Sequence, residues 1–328
     1  MVVRSSNAGQ KVLSKWQLLL LFPFLLLSGC ASDGLFEGFS NRELLQPWVE
    51  LTGGQASTSS GAIKSDYTVF QRPAAISVQG NDLYLVDEGL RRIFRFDRSL
   101  QTLTPFASSI PVESGTSIYA AQDITVYITV PSLGKVAHFT REGNVLPALE
   151  SRGRLTRPIA VAVDEYNDKV FVVDALYNHI VEFTQLGSMV SIIEPQQALS
   201  ISAIAVSQGR IYVIDKISNK VLLMNRDGSS KDILKTEFPE YPSNIAVSRD
   251  NLLFVSDSFD DSVKVYNLAR FGKGSFMGKI GGRVKPGVEK FNDISSLAVE
   301  DDVLFVADRM NSRIQTLLIN SNANVVGR

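Results

Sequence analysis

The chain contains few of the side chains that most often carry metal or covalent chemistry. It has one cysteine, Cys30, and two histidines, His138 and His179. Two histidines are too few for a metal site with three histidine ligands. No Gly-x-Ser-x-Gly motif occurs, and no glycine-rich phosphate-binding loop follows a predicted strand. The sequence therefore gives no sign of a serine hydrolase or of a nucleotide-binding domain.

An excess of charge is also absent. The 328 residues include 33 basic and 34 acidic side chains, for a formal net charge of -1. Because binding to nucleic acid depends on basic residues that displace phosphate counterions, this balance gives no reason to expect a nucleic-acid partner. Hydrophobic residues make up 45% of the chain, enough for one large domain or two small ones. Most apolar runs are short and broken by turn residues, which favours an all-β fold.

The one long apolar run lies close to the N-terminus. It spans residues 16–27 (WQLLLLFPFLLL) and follows the basic residues Arg4, Lys11 and Lys15. The run is too short to cross a membrane as a helix, and it has the length of a signal-peptide core. It ends in Leu27-Ser28-Gly29-Cys30, which resembles the lipobox of bacterial lipoproteins.

That resemblance implies a signal peptide over residues 1–29 and a lipid on Cys30. Each buried methylene contributes about 0.8 kcal/mol, so two or more acyl chains anchor a protein stably. In such lipoproteins an Asp directly after the cysteine retains the protein in the inner membrane. Ala31 and Ser32 occupy those positions here. The resemblance therefore implies the outer membrane, facing the periplasm, in an organism that has one.

Residues 30–66 are predicted to be the lipidated N-terminus and a flexible linker. Residues 41–51 (NRELLQPWVEL) have the composition of a short ordered element, in which Pro47 breaks any helix. Residues 52–65 (TGGQASTSSGAIKS) are rich in Gly, Ser and Thr, which is typical of a linker.

A repeat begins near Tyr67. In five segments an Asp ends a β-type run, a β-branched residue follows six positions later, and a large apolar residue follows nine positions later. These aspartates are Asp87, Asp174, Asp215, Asp257 and Asp308. A sixth segment has Val130 in place of the Asp. Apolar residues recur at spacings that place them on both faces of the strands, which predicts sheets packed face to face around an axis.

These units resemble the NHL-repeat β-propeller. The family pattern combines Pro-x-Gly-Ile-Ala-Val, Val-x-Asp and Asn-x-Arg-Ile, and the last unit matches it most fully at Asp308, Asn311, Arg313 and Ile314. Six units imply a six-bladed propeller over residues 67–320, with residues 321–328 as a C-terminal tail. Residues 67–70 (YTVF) are predicted to close the ring as the outer strand of the last blade.

The repeat also bears on the residues that suggest chemistry. His179 begins the third strand of its unit, where most other units have basic residues, and it is predicted to be a surface residue or one that braces the loop. The recurrent Asp is predicted to accept hydrogen bonds from backbone N–H groups of the following loop.

Two functions remain open. The resemblance to propeller enzymes of the lactonase and amidating-lyase types suggests a metal-dependent enzyme with ligands where the inner strands begin. Among those positions only Asn244 is a plausible ligand, and no cofactor is predicted. The favoured alternative is a scaffold that binds an envelope protein or an anionic envelope polymer.

The predicted binding face carries the loops before the first strand and between the second and third strands of each unit. Its candidate residues are Arg91, Arg157, Tyr177, Tyr241, Phe259 and Met310. Residues 269–290 form the longest connection between units and include Lys279, Arg283 and Lys285. Two interpretations of this segment stay open: a linker whose apolar residues complete the outer strand, or a mobile basic loop that captures an acidic partner or an anionic polymer.

Overall fold

The computed structural model of the chain describes residues 44–58, 62–268, 274–282 and 290–320. The predicted signal peptide, Cys30, Arg283, Lys285 and the C-terminal tail lie outside these residues. No helix within the described ranges has both the length and the apolar character needed to cross a membrane.

The described chain forms a six-bladed β-propeller, as the sequence predicts. The inner strands of blades 1 to 6 are β4 (Pro73–Gln79), β8 (Ile118–Ala120), β12 (Pro158–Asp164), β16 (Ile201–Ser207), β20 (Pro242–Val247) and β24 (Ile294–Glu300). The second strands are β5 (Asp82–Asp87), β9 (Thr125–Val130), β13 (Lys169–Asp174), β17 (Arg210–Asp215), β21 (Leu252–Asp257) and β25 (Val303–Asp308). The third strands are β6 (Arg92–Asp97), β10 (Lys135–Thr140), β14 (His179–Thr184), β18 (Lys220–Met224), β22 (Ser262–Leu268) and β26 (Arg313–Ile319).

The outer strands complete each blade. They are β7 (Thr102–Phe106), β11 (Val145–Leu146), β15 (Met189–Ile193), β19 (Ser230–Asp232), β23 (Gly274–Gly281) and, in blade 6, β1 (Leu45–Leu51). Blade 1 has two further strands, β2 (Gly53–Ser57) and β3 (Ile63–Val69), outside β7. Single 3-10 turns follow two of the second strands, at Pro131–Leu133 and Arg309–Asn311.

The strand that closes the ring differs from the predicted one. β1 pairs antiparallel with β26, from Leu45 opposite Ile319 to Leu51 opposite Ile314. Residues 67–70, which were predicted for this role, fall mainly in β3. The reason lies in burial: Leu45 and Leu51 are buried at the two ends of β1, whereas no residue of β3 is buried. Of the two strands, only β1 buries apolar side chains.

The Gly-rich segment after β1 also contains strands where a flexible linker was predicted. β2 pairs parallel with β7 and antiparallel with β3. Its glycines permit close packing, because a Cβ on Gly54 would lie 2.9 Å from the ring of Phe96 and 3.1 Å from Leu103. The glycines therefore belong to a strand that packs closely against Phe96 and Leu103 of blade 1.

The hydrophobic core lies between neighbouring blades. Each pair of adjacent blades encloses one cluster of buried apolar side chains; the cluster between blades 3 and 4, for example, joins Phe171 and Val173 to Ile211 and Val213. A fully buried aromatic residue stands three positions before the Asp position in every blade: Tyr84, Tyr127, Phe171, Tyr212, Phe254 and Phe305. Large aromatic rings dominate the energetics of such cores. The prediction that both faces of the sheets are apolar is confirmed.

The recurrent Asp holds the loops at one end of each blade, as predicted. The fully buried carboxylate of Asp174 accepts hydrogen bonds from the N–H groups of Thr156 (2.5 Å), Arg157 (2.7 Å), Leu176 (3.0 Å) and Tyr177 (3.1 Å). Each such carboxylate therefore joins the loop that enters its blade to the loop that follows its second strand. We call this arrangement the Asp bracket. Asp87, Asp215 and Asp257 accept equivalent backbone bonds in their own blades.

Candidate functional site

A channel runs along the propeller axis. It has a volume of about 1250 Å³ and is lined by all six inner strands, mostly through small residues such as Ala162, Ala205 and Ala298. We call the end at which the inner strands begin the upper mouth, and the end at which they finish the lower mouth. The Asp brackets lie at the upper mouth.

Exposed apolar side chains surround the upper mouth. They stand two or three positions after the Asp position in five of the six blades and are each 50% to 63% exposed. We call this set the apolar ring, and it consists of Leu133, Leu176, Tyr177, Ile217, Phe259 and Met310. Ile217 also borders the channel. Scattered exposed apolar residues are ordinary, but recurrence at one structural position places these on a single surface.

The Asp brackets bind the backbone of four of the six residues in the apolar ring. Leu176 and Tyr177 donate their backbone N–H groups to Asp174, Ile217 donates to Asp215 (3.2 Å), and Phe259 donates to Asp257 (3.1 Å). The ring of Phe259 also lies 5.9 Å from that of Tyr241. The loop backbone is therefore fixed from below while its apolar side chains remain in solvent.

His179 braces this surface, as the repeat predicts. The imidazole is buried, with Nε2 2.9 Å from the carbonyl oxygen of Arg154 and Nδ1 3.7 Å from the carboxylate of Glu194. Its ring stacks on Tyr177 with 5.5 Å between centroids. His179 thus connects the third strand of blade 3 to two neighbouring loops.

Basic side chains lie beside the apolar ring. The loops and strand ends at the upper mouth of blades 1 to 4 carry nine exposed lysines and arginines, which we call the cationic arc: Arg72, Arg91, Arg92, Lys135, Arg152, Arg154, Arg157, Lys216 and Lys220. Within the described part of the chain, Lys220 is the only one of them with a carboxylate within 4.0 Å, at 3.9 Å from Asp232. The other eight have no acidic partner among these residues.

Three of the acids on the same loops have partners other than the cationic arc, whereas Glu150 is exposed beside Arg152. Glu88 is half-buried and lies 3.7 Å from the guanidinium of Arg309, and Glu113 accepts the N–H of Ser132 at 2.8 Å. Glu194 faces His179. Exposed basic side chains therefore outnumber exposed acidic ones on this part of the upper mouth, even though the chain as a whole is nearly neutral.

The structure brings six of the sequence-predicted residues together at the upper mouth: Arg91, Arg157, Tyr177, Tyr241, Phe259 and Met310. Their role in binding stays a prediction. The sequence-based list omitted Leu133, Leu176 and Ile217, although alignment on the Asp position would have shown their recurrence. It also omitted Arg152, Arg154 and Lys216.

Lys279 lies where the linker alternative places it, in an outer strand, and not in a mobile loop. It lies in β23, the outer strand of blade 5, and its ammonium is 3.4 Å from the carboxylate of Asp260. Eight of the 22 residues in segment 269–290 thus form a paired strand. The reason is apolar burial, since Ile280 is buried against blade 6 and Phe276 packs edge-on against Tyr266 at 5.6 Å.

Asn244, the weak metal candidate, joins two blades through its side chain. Its amide Nδ2 donates to the carbonyl oxygen of Ile294 (3.1 Å) in blade 6, and its backbone N–H donates to the hydroxyl of Ser256 (2.8 Å). Across the described ranges, no three His, Cys, Asp or Glu side chains are grouped closely enough to hold a metal ion.

The lower mouth contains an acidic group that sequence analysis did not identify. Glu165 is half-buried there and accepts the N–H of Gln122 at 3.0 Å. Burial, together with the charges of Asp123 and Asp168, raises the pKa of Glu165 to about 7. No signal in the sequence marks Glu165, because its environment exists only once the ring is closed.

Comparison with known proteins supports the fold and no finer assignment. No family model matches the chain, and no curated protein matches its sequence. A structural-genomics protein of unknown function from Bacteroides thetaiotaomicron matches with a TM-score of 0.63 and 14% identity, over 82% of this chain and 76% of that one.

Two further solved structures share the architecture. Catalytically inactive virginiamycin B lyase from Staphylococcus aureus, with quinupristin, gives a TM-score of 0.57 at 12% identity, over 84% of this chain and 99% of that one. A chain of a nidogen/laminin complex gives 0.55 at 15% identity, over 72% and 92%. At these identities the likeness defines the class alone: the chain is a six-bladed β-propeller.

Proposed function

We propose that this chain is a lipid-anchored envelope protein whose propeller is a binding scaffold, with the upper mouth as its binding face. The single observation that carries the binding role is the apolar ring. Six exposed apolar side chains recur around one mouth, and four of them donate their backbone N–H groups to Asp brackets. Preorganised apolar and aromatic anchors are the usual centre of a protein interface.

The repeat chemistry supports membership of the NHL type. In the best-matching unit, Asn311 Nδ2 and Arg313 Nε both donate to the same oxygen of Asp308, at 2.8 and 2.7 Å. The Asn-x-Arg pattern therefore completes the Asp bracket of its own blade. This gives the motif a physical role in the loop that follows the second strand.

The point at which the described chain enters the propeller agrees with an N-terminal anchor. Leu45 pairs with Ile319 at the end of β26 remote from the upper mouth. The described part of the chain thus begins on the lower side of the propeller. A membrane connection made from that side leaves the upper mouth accessible to a partner.

The anchor is tested by replacing Cys30. We expect Cys30→Ser to release the full chain from membranes and to abolish its labelling with palmitate, because the lipobox cysteine is the only attachment site that the resemblance implies. A wild-type chain that takes up no palmitate would refute the anchor and leave the binding role untouched.

The binding face is tested by crosslinking in membranes that contain the full chain. The upper-mouth variant carries Ile217→Ser, Phe259→Ser and Met310→Ser. The matched lower-mouth variant carries Ile124→Ser, Tyr166→Ser and Leu186→Ser, which are at least as exposed in the wild type. We expect the upper-mouth variant to lose a defined crosslinked product that the lower-mouth variant retains. Equal crosslinking by both variants would contradict this assignment of the face.

Metal analysis of the purified chain separates the scaffold from the metal-dependent enzyme suggested by the resemblance to lactonase and amidating-lyase propellers. A stoichiometric divalent ion that is lost on Asn244→Ala would favour the enzyme. We expect no such stoichiometric ion, because the side-chain amide of Asn244 already bridges two blades.

A further inference from the structure

We infer that the partner presents an acidic protein segment with apolar side chains, which seats on the apolar ring with its carboxylates against the cationic arc. This inference rests on the proposed function and specifies the chemistry of its partner. It depends on two surface properties that occur together at the upper mouth.

The first property is unpaired positive charge. Eight of the nine side chains in the cationic arc lack a carboxylate within 4.0 Å among the described residues. Three of them, Arg152, Arg154 and Arg157, come from one short loop, and Arg157 donates its backbone N–H to the Asp174 bracket. Arginines held on a fixed backbone favour carboxylate ligands, because the guanidinium presents several N–H donors in one plane.

The lower mouth shows that this charge is local. The turns that follow its inner strands carry the exposed acids Asp123, Asp168, Asp250 and Asp301, and the exposed cation on these inner turns, Arg249, lies 3.8 Å from Asp301. The exposed charges of the cationic arc and of the lower inner turns therefore differ in sign. An acidic partner is attracted to the upper mouth and repelled from the lower one.

The second property is the apolar ring itself, which distinguishes a protein segment from an anionic polysaccharide. A polysaccharide would neutralise the cationic arc but would leave Ile217, Phe259 and Met310 in contact with water or with hydroxyl groups. A peptide with apolar side chains buries them, at about 25 cal/mol for each Å² removed from water. An apolar centre beside a charged rim is the usual anatomy of a protein interface.

An anionic lipid surface also offers carboxylate or phosphate charge with apolar groups. The direction of the chain favours a protein instead. β1 is entered from the lower side, so that a membrane connection made through the N-terminus approaches the opposite end of the propeller from the apolar ring. Binding to anionic vesicles is therefore the competing outcome of the test.

The test uses the full chain carrying Cys30→Ser, so that the result does not depend on the anchor. The probe is a fluorescent peptide in which Glu and Asp alternate with Leu and Phe. One control peptide has Lys in place of every acid, and a second has Ser in place of every apolar residue. A third arm uses vesicles of phosphatidylglycerol and phosphatidylcholine.

Two charge-reversed variants are compared by fluorescence anisotropy. The arc variant carries Arg154→Glu, Arg157→Glu and Lys216→Glu. The matched control carries Lys169→Glu, Lys231→Glu and Arg249→Glu, which changes the net charge equally away from the upper mouth. We expect the arc variant to weaken binding of the acidic apolar peptide by about tenfold or more at about 0.02 M salt, and by much less at about 0.5 M, where charges are screened. The control variant should bind as the wild type does.

Several results would overturn the inference. Equal binding by the two charge-reversed variants would do so, as would failure of the acidic apolar peptide to bind the wild type. Tighter binding of the lysine peptide or of the apolar-free peptide would also exclude the proposed chemistry. Vesicle binding that exceeds peptide binding and is lost in the arc variant would assign the surface to membranes. If the crosslinking experiment still maps a partner to the upper mouth, the proposed function survives these outcomes.

Discussion

The Asp brackets make a strong prediction about stability, which is clearest at Asp174. Its carboxylate is fully buried and accepts four backbone N–H groups from two separate loops. Asp174→Ala removes the two oxygens that accept all four bonds and leaves a small cavity at the upper end of blade 3. We expect both loops to loosen and the chain to lose a large part of its stability.

The magnitude follows from the number and type of the bonds. Hydrogen bonds to a charged group contribute about 1.5–3 kcal/mol each, which sets an upper bound of about 6–12 kcal/mol for four of them. The donors belong to Thr156, Arg157, Leu176 and Tyr177, which are all exposed residues. Water therefore satisfies part of the freed N–H groups, and we expect a net loss of about 3–4 kcal/mol.

Asp97→Ala is the matched control. Asp97 also accepts several bonds, from the N–H groups of Ser99 and Leu100, the hydroxyl of Ser99 and the amide of Asn81, but it is half-exposed at the lower side. We expect this substitution to cost about 1 kcal/mol, because water replaces the lost acceptor. Urea unfolding followed by circular dichroism measures both variants. A loss for Asp174→Ala that is no greater than that for Asp97→Ala would refute the bracket as a major stabilising element.

Three further predictions concern other parts of the propeller. Arg226→Ala leaves the buried carboxylate of Glu182 without the guanidinium 2.5 Å away, and should cost about 2 kcal/mol in urea unfolding, because the arginine is half exposed; an unchanged midpoint would contradict this. Gly228→Ala should cost about 3 kcal/mol and Gly153→Ala about 1, because both glycines have positive φ but only a Cβ on Gly228 would overlap a backbone carbonyl; equal losses would show that φ alone matters. Because the pKa of Glu165 is raised, the folded chain keeps a proton that the unfolded chain releases above pH 4.5. The stability gained from this proton is full below pH 4.5 and is lost as the pH rises through about 7. Glu165→Gln should therefore lose less thermal stability than the wild type between about pH 5 and about pH 8, and parallel melting profiles would contradict the shifted pKa.

The blades could be predicted from sequence because each carries the same local signals. An aromatic residue, an Asp three positions later and a β-branched residue six positions after that specify a buried strand, a bracketed loop and the next strand. The blade 2 variant shows how the pattern tolerates loss. Val130 accepts no loop hydrogen bonds through its side chain, and Glu113 binds the N–H of Ser132 instead, beside a 3-10 turn.

The closure of the ring could not be predicted in the same way. It depends on contacts between residues 45–51 and 313–319, which are remote in sequence, and no repeat signal marks β1. The glycines of β2 were also misleading, because composition alone does not distinguish a flexible linker from a strand that packs closely against its neighbours. In both cases the deciding information is tertiary burial.

The candidate face was predicted only where single residues resembled typical interface anchors. Tyr177, Phe259 and Met310 were identified because they are large, whereas Leu133 and Ile217 were missed because an aliphatic residue in a loop carries no functional signal by itself. Alignment on the Asp position changes that conclusion, since it shows the residues at equivalent places in different blades. The cationic arc required the structure, because it combines loops from four blades.

The bracket connects the stability of the propeller to the proposed binding face. The carboxylate binds the backbone of the loop, not its side chains, so the apolar residue that follows the Asp is free to differ between blades without a cost to the fold. Side chains of different shape are displayed from the equivalent loop of five blades: Leu133, Tyr177, Ile217, Phe259 and Met310. A surface of this kind can be adapted to a partner residue by residue. Stability and recognition then reside in separate atoms of the same loop, so substitutions in the apolar ring should affect binding while those in the brackets affect folding.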